Sequence, residues 1–456
     1  MPAQVPLRPL RLVIAVALVL LAACSSAPPR GTSTPSIGES PRATPTPPGG
    51  ESPPAATGSS APSEPPTTQS PNSVTIESSD EGSLLVRGTY PRVPSACVDP
   101  ERRRLLARYP GTLSVERSDD GTIALTVTLP FDRYLEGIAE VPASWPRAAL
   151  QAQAVAARSY ALATTGWSGA EGETLETPIC ATTACQVYRG IPVPFEPTVR
   201  RWYAAVRRTS GEVLLYNDRP AETVYFSTSN GQTYGNDEVF GSAPLPYLRP
   251  VVERDDGASA VSRWQVRLPF EDLATFLHAG GHWRRTRAIS DVRLDGSTFV
   301  VSGEGVSRSI ESSAFREAVN AWAPCLEPDR YPPPSSRGTP LPITIPSRWL
   351  SVSSEPDAVV VTGRGWGHGA GMVQWGAYGK ALRGMSASDI LAFYYGGLRP
   401  QSYPEPGLIH VQVASGLTSL RIAPSGPGAT LDDRELGSER LSITSGDLLI
   451  VNIEPR

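Results

Sequence analysis

Pro146-Arg-Ala-Ala-Leu-Gln-Ala-Gln-Ala-Val-Ala-Ala-Arg-Ser-Tyr-Ala-Leu-Ala-Thr164 is the stretch that decides the fold. Alanine, the strongest helix former, dominates it. Leu150, Ala154, Ala157 and Ala161 recur at spacings of three and four, which is one stripe of a helix. The stripe is built largely of methyl groups, and small residues flank it on both sides. Other parts of the chain must therefore approach this helix closely, which makes it central. Ser144 is placed to cap it, and Pro146 suits its first turn. Gln151 and Arg158 are seven apart and share a face, where polar groups need partners.

Strand signals surround the helix. Ser83-Leu-Leu-Val-Arg and Thr122-Ile-Ala-Leu-Thr-Val-Thr-Leu alternate and carry β-branched residues. Asp119-Asp120-Gly121 reads as a hairpin turn between Leu113-Ser-Val-Glu and the second of these. Phe131 to Ile138 reads as a short helix ending near Gly137. Beyond the central helix, helical patterns cover Arg200 to Thr209, Phe270 to His278, Phe315 to Trp322 and Ser388 to Tyr395. Strands are expected at Val213 to Tyr216, Thr223 to Phe226, around Val292 and Phe299, and at Ala358 to Thr362. Pro332 to Pro346 reads as a proline-rich connector, and the last fifty residues as short strands forming a small β appendage. The expected class is α+β: a central Ala-rich helix packed against antiparallel strands, preceded by a disordered tether.

The N-terminal residues point to export. Arg8 and Arg11 precede the apolar run Leu12 to Leu21, which is short for a membrane span and reads as a signal peptide over 1–23. Leu21-Ala22-Ala23-Cys24 has the form of a bacterial lipobox, with Cys24 as the lipidated residue; the plain alternative is a cleaved signal with an incidental cysteine. Residues 24–72 are rich in Pro, Ser, Thr and Gly and cannot bury enough apolar surface to order themselves. They read as a linker between the anchor and a domain spanning 73–400, with 401–456 as the C-terminal β-rich segment. The expected location is extracytoplasmic, at the membrane through the lipid and facing the cell wall. Cys97, Cys180, Cys185 and Cys325 form an even set in an oxidising compartment, which points to two disulfides. Cys180 and Cys185 are near enough to pair, leaving Cys97 with Cys325, although sequence alone does not fix the connectivity. Net charge is −4, so no global basic field exists to grip nucleic acid. Lys380 is the single lysine of the chain.

Two places could carry chemistry. Glu140 lies beside Ile138, Val141 and Trp145, just before the central helix. Desolvation there would raise its pKa and keep it protonated, as a general acid requires. The plain alternative is a surface glutamate favoured by the start of a helix. The second place is Gly363-Arg-Gly-Trp-Gly-His-Gly-Ala-Gly-Met-Val-Gln-Trp-Gly-Ala-Tyr-Gly379. Its glycines imply tight turns, and Trp366, Trp375 and Tyr378 are suited to stack on sugar faces. His368 and Gln374 could hydrogen-bond hydroxyl or acetamido groups. The glycine spacing is wrong for a dinucleotide fingerprint, and the Lys-Ser/Thr of a phosphate loop is missing. His278 and His282 are four apart but lack a third ligand. No Gly-x-Ser-x-Gly elbow occurs, which argues against an α/β serine hydrolase.

Several blocks together resemble SpoIID/LytB proteins. Phe131-Asp-Arg-Tyr-Leu-Glu-Gly-Ile-Ala-Glu-Val-Pro-Ala-Ser-Trp-Pro and the helix after it resemble that family's central motif. Cys185-Gln-Val-Tyr-Arg-Gly, Tyr225-Phe-Ser-Thr-Ser-Asn-Gly-Gln-Thr, Pro246-Tyr-Leu, Gly363 to Gly379 and Ile390-Leu-Ala-Phe-Tyr-Tyr-Gly-Gly follow in order, covering roughly 110–400. The resemblance implies a lytic transglycosylase acting on peptide-stripped peptidoglycan glycan strands, with Glu140 as the acidic catalyst and Arg158 as the family's important arginine. Gln151, Arg158, Tyr188, Ser229, Trp366, His368 and Gln374 are the candidate substrate contacts. Some members hold a metal with a Cys-x-x-x-His-Cys stretch. Here the matching run is Cys180-Ala-Thr-Thr-Ala-Cys185, with Ala184 where histidine would stand, so a disulfide and no cofactor are expected. The alternative implied by the same resemblance is a non-catalytic, glycan-binding enhancer of a cell-wall amidase.

Overall fold

The computed structural model describes residues 67–455 apart from 71, 80–81, 91–103, 171, 193–196, 328, 332–343, 427 and 438. The signal segment, Cys24, most of the tether, Cys97 and most of the proline-rich connector lie outside the described residues. No described helix is long and apolar enough to cross a membrane.

Strict alternation builds two sheets around one core. Along Ile123–Pro130 every second residue, Ile123, Leu125, Val127 and Leu129, is fully buried. This strand pairs antiparallel with Thr112–Arg117 across the expected Asp119-Asp120-Gly121 turn. The seven-stranded sheet runs Arg434–Glu435, Ala429–Leu431, Ser73–Ser78, Thr112–Arg117, Ile123–Pro130, Leu408–Leu417, Thr174–Cys180. A six-stranded sheet runs Thr67–Ser70, Leu449–Glu454, Arg440–Ser445, Ser419–Ser425, Ser83–Thr89, Arg104–Tyr109. Val74 and Val127 from the first and Val86, Leu420 and Ile443 from the second meet in the same apolar cluster.

The C-terminal strands are therefore no appendage. Leu408–Leu417 pairs with Ile123–Pro130, Ser419–Ser425 with Ser83–Thr89, and Leu449–Glu454 with Thr67–Ser70. Their alternating apolar side chains can be buried only against the N-terminal strands, so the two ends of the folded region form one body.

Eight helices are described: α1 Phe131–Glu136, α2 Arg147–Thr164, α3 Val199–Arg208, α4 Asn236–Phe240, α5 Phe270–Ala279, α6 Ser312–Leu326, α7 Gln374–Leu382 and α8 Ala387–Tyr394. The decisive stretch forms α2, and it is buried on both sides. Leu150, Ala154, Ala157 and Ala161 join the core of the two sheets. Ala152, Val155 and Ala156 join a second core with Leu214, Phe226, Met372, Ala377, Ile390 and Tyr394. Helices pack on α2 as well as strands: α3, α7, α8 and the antiparallel strand Glu212–Tyr216 lie against it. A wall of methyl groups lets other helices come close, which larger side chains would prevent. Ser144 does not cap α2. Pro146 is the N-cap residue, and the Ser144 and Trp145 carbonyls accept from the Arg201 guanidinium at 3.1 and 3.0 Å.

A third core belongs to residues between the two halves of the site. The strand Trp264–Pro269 pairs with Ala358–Gly363, and α5, α6 and three antiparallel strands over residues 291–311 pack around Phe276, Phe299 and Phe315. This insertion separates Tyr225–Phe226 from Met372–Val373 in sequence, yet those two segments pair side by side in parallel.

Lys380 on α7 is buried. Its Nζ donates to both oxygens of Glu253 at 3.0 and 2.9 Å and to Asp255 at 2.9 Å. The Tyr394 hydroxyl also donates to Glu253, and the Phe393 ring lies 4.1 Å from the ammonium. Removing one member of such a pair strands the other charge. Lys380→Met is therefore expected to cost about 3–5 kcal/mol in a urea titration, with part of the loss recovered in the Lys380→Met/Glu253→Gln double variant. Equal stability of K380M and wild type would refute the assignment of this cluster as an internal charge clamp.

Candidate active site

Glu140 is held by the segment that follows the Cys180–Cys185 disulfide. Gly137 ends α1 against the Tyr188 ring, where any Cβ would collide. Ile138 bridges to Tyr188, and the Ala139 N–H donates to the Val187 carbonyl at 2.9 Å. The Val187 N–H in turn donates to Glu140 Oε1 at 2.6 Å. The expected disulfide joins Cys180 to Cys185 with the Cα atoms 5.6 Å apart, which consumes both thiols and closes the loop just ahead of Val187. Cys325 is disulfide-bonded as well. Gln186 fixes this segment from below: its Nε2 donates to the Tyr134 hydroxyl at 2.6 Å and to the Ala157 carbonyl on α2 at 3.2 Å, while its Oε1 accepts from Tyr225 at 2.7 Å.

The glycine-rich run brings Gln374 to the same carboxylate. Gly371 adopts φ +74°, and a Cβ there would strike the Val224 carbonyl. That close approach lays Met372–Val373 beside Tyr225–Phe226 and starts α7 at Gln374. The Gln374 amide donates to Gln153 Oε1 at 3.4 Å and lies near enough to Glu140 to favour its charged form. Thus two candidates 234 positions apart in the sequence (140 and 374) meet in space.

Burial raises the pKa of Glu140, as its apolar neighbours led one to expect. The Val187 N–H, the Gln374 amide and the Arg189 guanidinium pull in the opposite direction, in that order. Among the described residues, no second carboxylate belongs to the groups that shift its proton affinity. Five residues on from Glu140, the Trp145 ring lies with its centroid 4.9 Å from that of Trp375, which follows Gln374, and 5.1 Å from that of Tyr378. Trp375 and Tyr378 keep part of their surface in solvent. Trp145 belongs to the core and Trp375 and Tyr378 pack against it, so beside these rings Glu140 is a carboxyl whose raised pKa suits it to give and take a proton.

The remaining candidates are placed differently. Arg158 is 1% exposed. Its guanidinium pairs with Glu405 and donates to the Val206 carbonyl at 3.2 Å and Thr209 Oγ1 at 3.3 Å, none of which touches Glu140. Burial pushes its pKa down, and Glu405 opposes this. Tyr188 is a core ring stacked between Tyr109 and Tyr134. The Ser229 N–H and hydroxyl both donate to Asp256 at 2.7 Å. His368 carries its proton on Nε2, donating to the Tyr225 carbonyl at 2.8 Å, while Nδ1 accepts from the Ala370 N–H. Burial drives its pKa down to about 4, so it stays neutral and orients the Tyr225 backbone. Trp366 is half-buried, with its backbone bridged to Thr228. Gln151 is half-buried on α2, and its neighbour Gln153 is the one that meets Gln374. Sequence reading missed Gln153, although three residues after Leu150 and four before Ala157 it falls on the buried stripe. It also missed Val187, whose contribution comes from its backbone and leaves no trace in side-chain identity.

Residues 119–216 match the family model SpoIID, described as Stage II sporulation protein. The chain is 28% identical over 281 residues to Stage II sporulation protein D of Bacillus subtilis (strain 168), covering 59% of this chain and 74% of that protein. It is 26% identical over 318 residues to the protein of the same name in Bacillus amyloliquefaciens, covering 64% and 79%. It is 29% identical over 296 residues to the Amidase enhancer of Bacillus subtilis (strain 168), covering 58% of this chain and 39% of that longer protein. Glu140 and the disulfide loop fall inside the matched family region, and across most of its folded length the chain is homologous to SpoIID and amidase-enhancer proteins.

Proposed function

We propose that the protein works on the glycan strands of the cell wall, outside the cytoplasm, and that Glu140 is a single general acid and base for their non-hydrolytic cleavage. The observation that carries this reading is a half-buried carboxyl, raised in pKa by desolvation, held by the Val187 N–H and near the Gln374 amide. In the protonated form Glu140 gives its proton to the bridging oxygen of the MurNAc–GlcNAc bond, and that bond breaks. The muramoyl 6-hydroxyl then bonds to the anomeric carbon of its own ring, and its proton returns to Glu140. The product is a 1,6-anhydro end, and the carboxyl is ready again. The scheme requires no second carboxylate, unlike the paired arrangement of most glycosidases.

A second reading has its own support. One relative is named an amidase enhancer, and that name favours stimulation of an amidase over glycan cleavage. In that reading the surface around Glu140, Trp375 and Tyr378 binds glycan and recruits the hydrolase. Anchoring through Cys24 belongs to either version.

The two readings separate in one experiment. Purified protein is incubated with peptide-free glycan strands, and 1,6-anhydromuramoyl ends are counted by mass spectrometry. Cleavage with a loss of roughly 10²–10⁴-fold in Glu140→Gln supports the acid/base role. No ends from wild type, together with stimulation of a wall amidase that survives in E140Q, would establish the enhancer reading instead.

The pH dependence follows from the direction of the shift. A general acid must be protonated, so cleavage is expected to fall as pH rises through the raised pKa of Glu140. Gln374→Leu removes a nearby amide that favours the charged form, which raises the pKa further and moves that fall to higher pH. A limb that stays in place in Q374L would contradict the role given to Gln374. Stability shows the same sign: the fold holds the Glu140 proton, so this contribution is complete at low pH and is lost as pH climbs through the raised pKa. Glu140→Gln should flatten that portion of the stability curve, read by thermal melts across pH.

A further inference from the structure

We propose that a cleft on the other side of the Ser227–Gly231 loop is a binding site for a phosphoryl anion, independent of the chemistry at Glu140. The cleft has a volume of about 270 Å³ and is lined by Arg254, Arg263, Arg364, Ser262, Glu253 and Asp256 among others. Its floor is rigid. The Gly365 N–H donates to the Val261 carbonyl at 2.9 Å, and the Trp264 indole donates to the Gly365 carbonyl at 3.1 Å. The Ser229 backbone is tied to Asp256.

Charge decides what the cleft takes. Both carboxylates lining it are already engaged. Glu253 is matched by Lys380 and by the backbone N–H groups of Arg254 and Asp255, and Asp256 by the N–H and hydroxyl of Ser229. The three guanidinium groups are exposed, and none of them makes a hydrogen bond or ion pair to another described residue. The Ser262 hydroxyl is likewise free among the described residues. Other arginines of the fold sit in ion pairs with carboxylates, as Arg133, Arg207, Arg249, Arg267 and Arg383 do. Three unpaired planar forks around one small cavity offer more donors than a single carboxylate can accept. A phosphoryl group presents enough oxygens and charge, and it fits the volume. A free phosphate ion or a phosphate borne on a wall polymer would supply the same chemistry.

The test uses the full chain at low ionic strength. Inorganic phosphate is titrated and followed by ³¹P NMR line width and calorimetry, and poly(glycerol phosphate) is titrated in parallel. Arg263→Gln and Arg364→Gln are each expected to weaken phosphate binding by roughly tenfold, and Arg440→Gln, on the strand Arg440–Ser445, to leave it unchanged. Arg254→Gln gives the same readout without touching the glycine loop, should R364Q fail to fold. Tighter binding of the polymer than of the free ion identifies a wall phosphodiester as the source, and binding of the ion alone identifies free phosphate. Absence of binding to both, or equal weakening by R440Q, overturns the proposal. Loss of phosphate binding with glycan processing intact would leave the Glu140 reading standing.

Discussion

Everything in this fold depends on how little side chain α2 carries. Its methyl-covered surface lets the core of the two sheets press on one side and α7, α8 and the Phe226 region on the other. Because α2 is thin, Gln153 on it can reach Gln374 on α7, and the Ala157 carbonyl can reach Gln186. The site residues therefore sit where they do as a result of packing distance. A leucine in place of Ala156 would push the helices apart and open the site before any functional group was altered.

The second constraint is the backbone that meets Glu140. The carboxylate is held from one side by a main-chain N–H that follows a disulfide loop, and is approached from the other by an amide that follows a glycine-tight turn. Both devices fix a donor without demanding a particular side chain at Val187. His368 belongs to the same scaffold: its neutral ring spans the Tyr225 carbonyl and the Ala370 N–H, and so joins the two parallel segments. The charge on Arg158 is spent in tying α2 to α3 and to Glu405. These groups hold in place the segments that carry Glu140 and Gln374.

Much of this was legible in the sequence, for identifiable reasons. Periodicity located α2 and its buried stripe, because small apolar residues at helical spacing mark a helix that its neighbours approach closely. Alternation located Ile123–Pro130, and the short cysteine spacing located the disulfide. Long-range pairing was not legible. Nothing in residues 408–454 reveals that they complete sheets begun near residue 67, since an alternating strand does not name its partner. The same limit hid the meeting of Val187 with Glu140. Helical spacing also singled out Gln151, when half a turn further along the helix Gln153 was the buried amide. His368 and Ser229 carried residue types suited to binding, but their hydrogen bonds are filled by the protein itself.

The chain's single lysine lies at 2% exposure inside a carboxylate clamp. Its ε-amine is thus withheld from solvent, and arginine carries the positive charge displayed on the described surface. With that amine buried, the described surface offers no lysine nucleophile to an acylating reagent while the fold is intact.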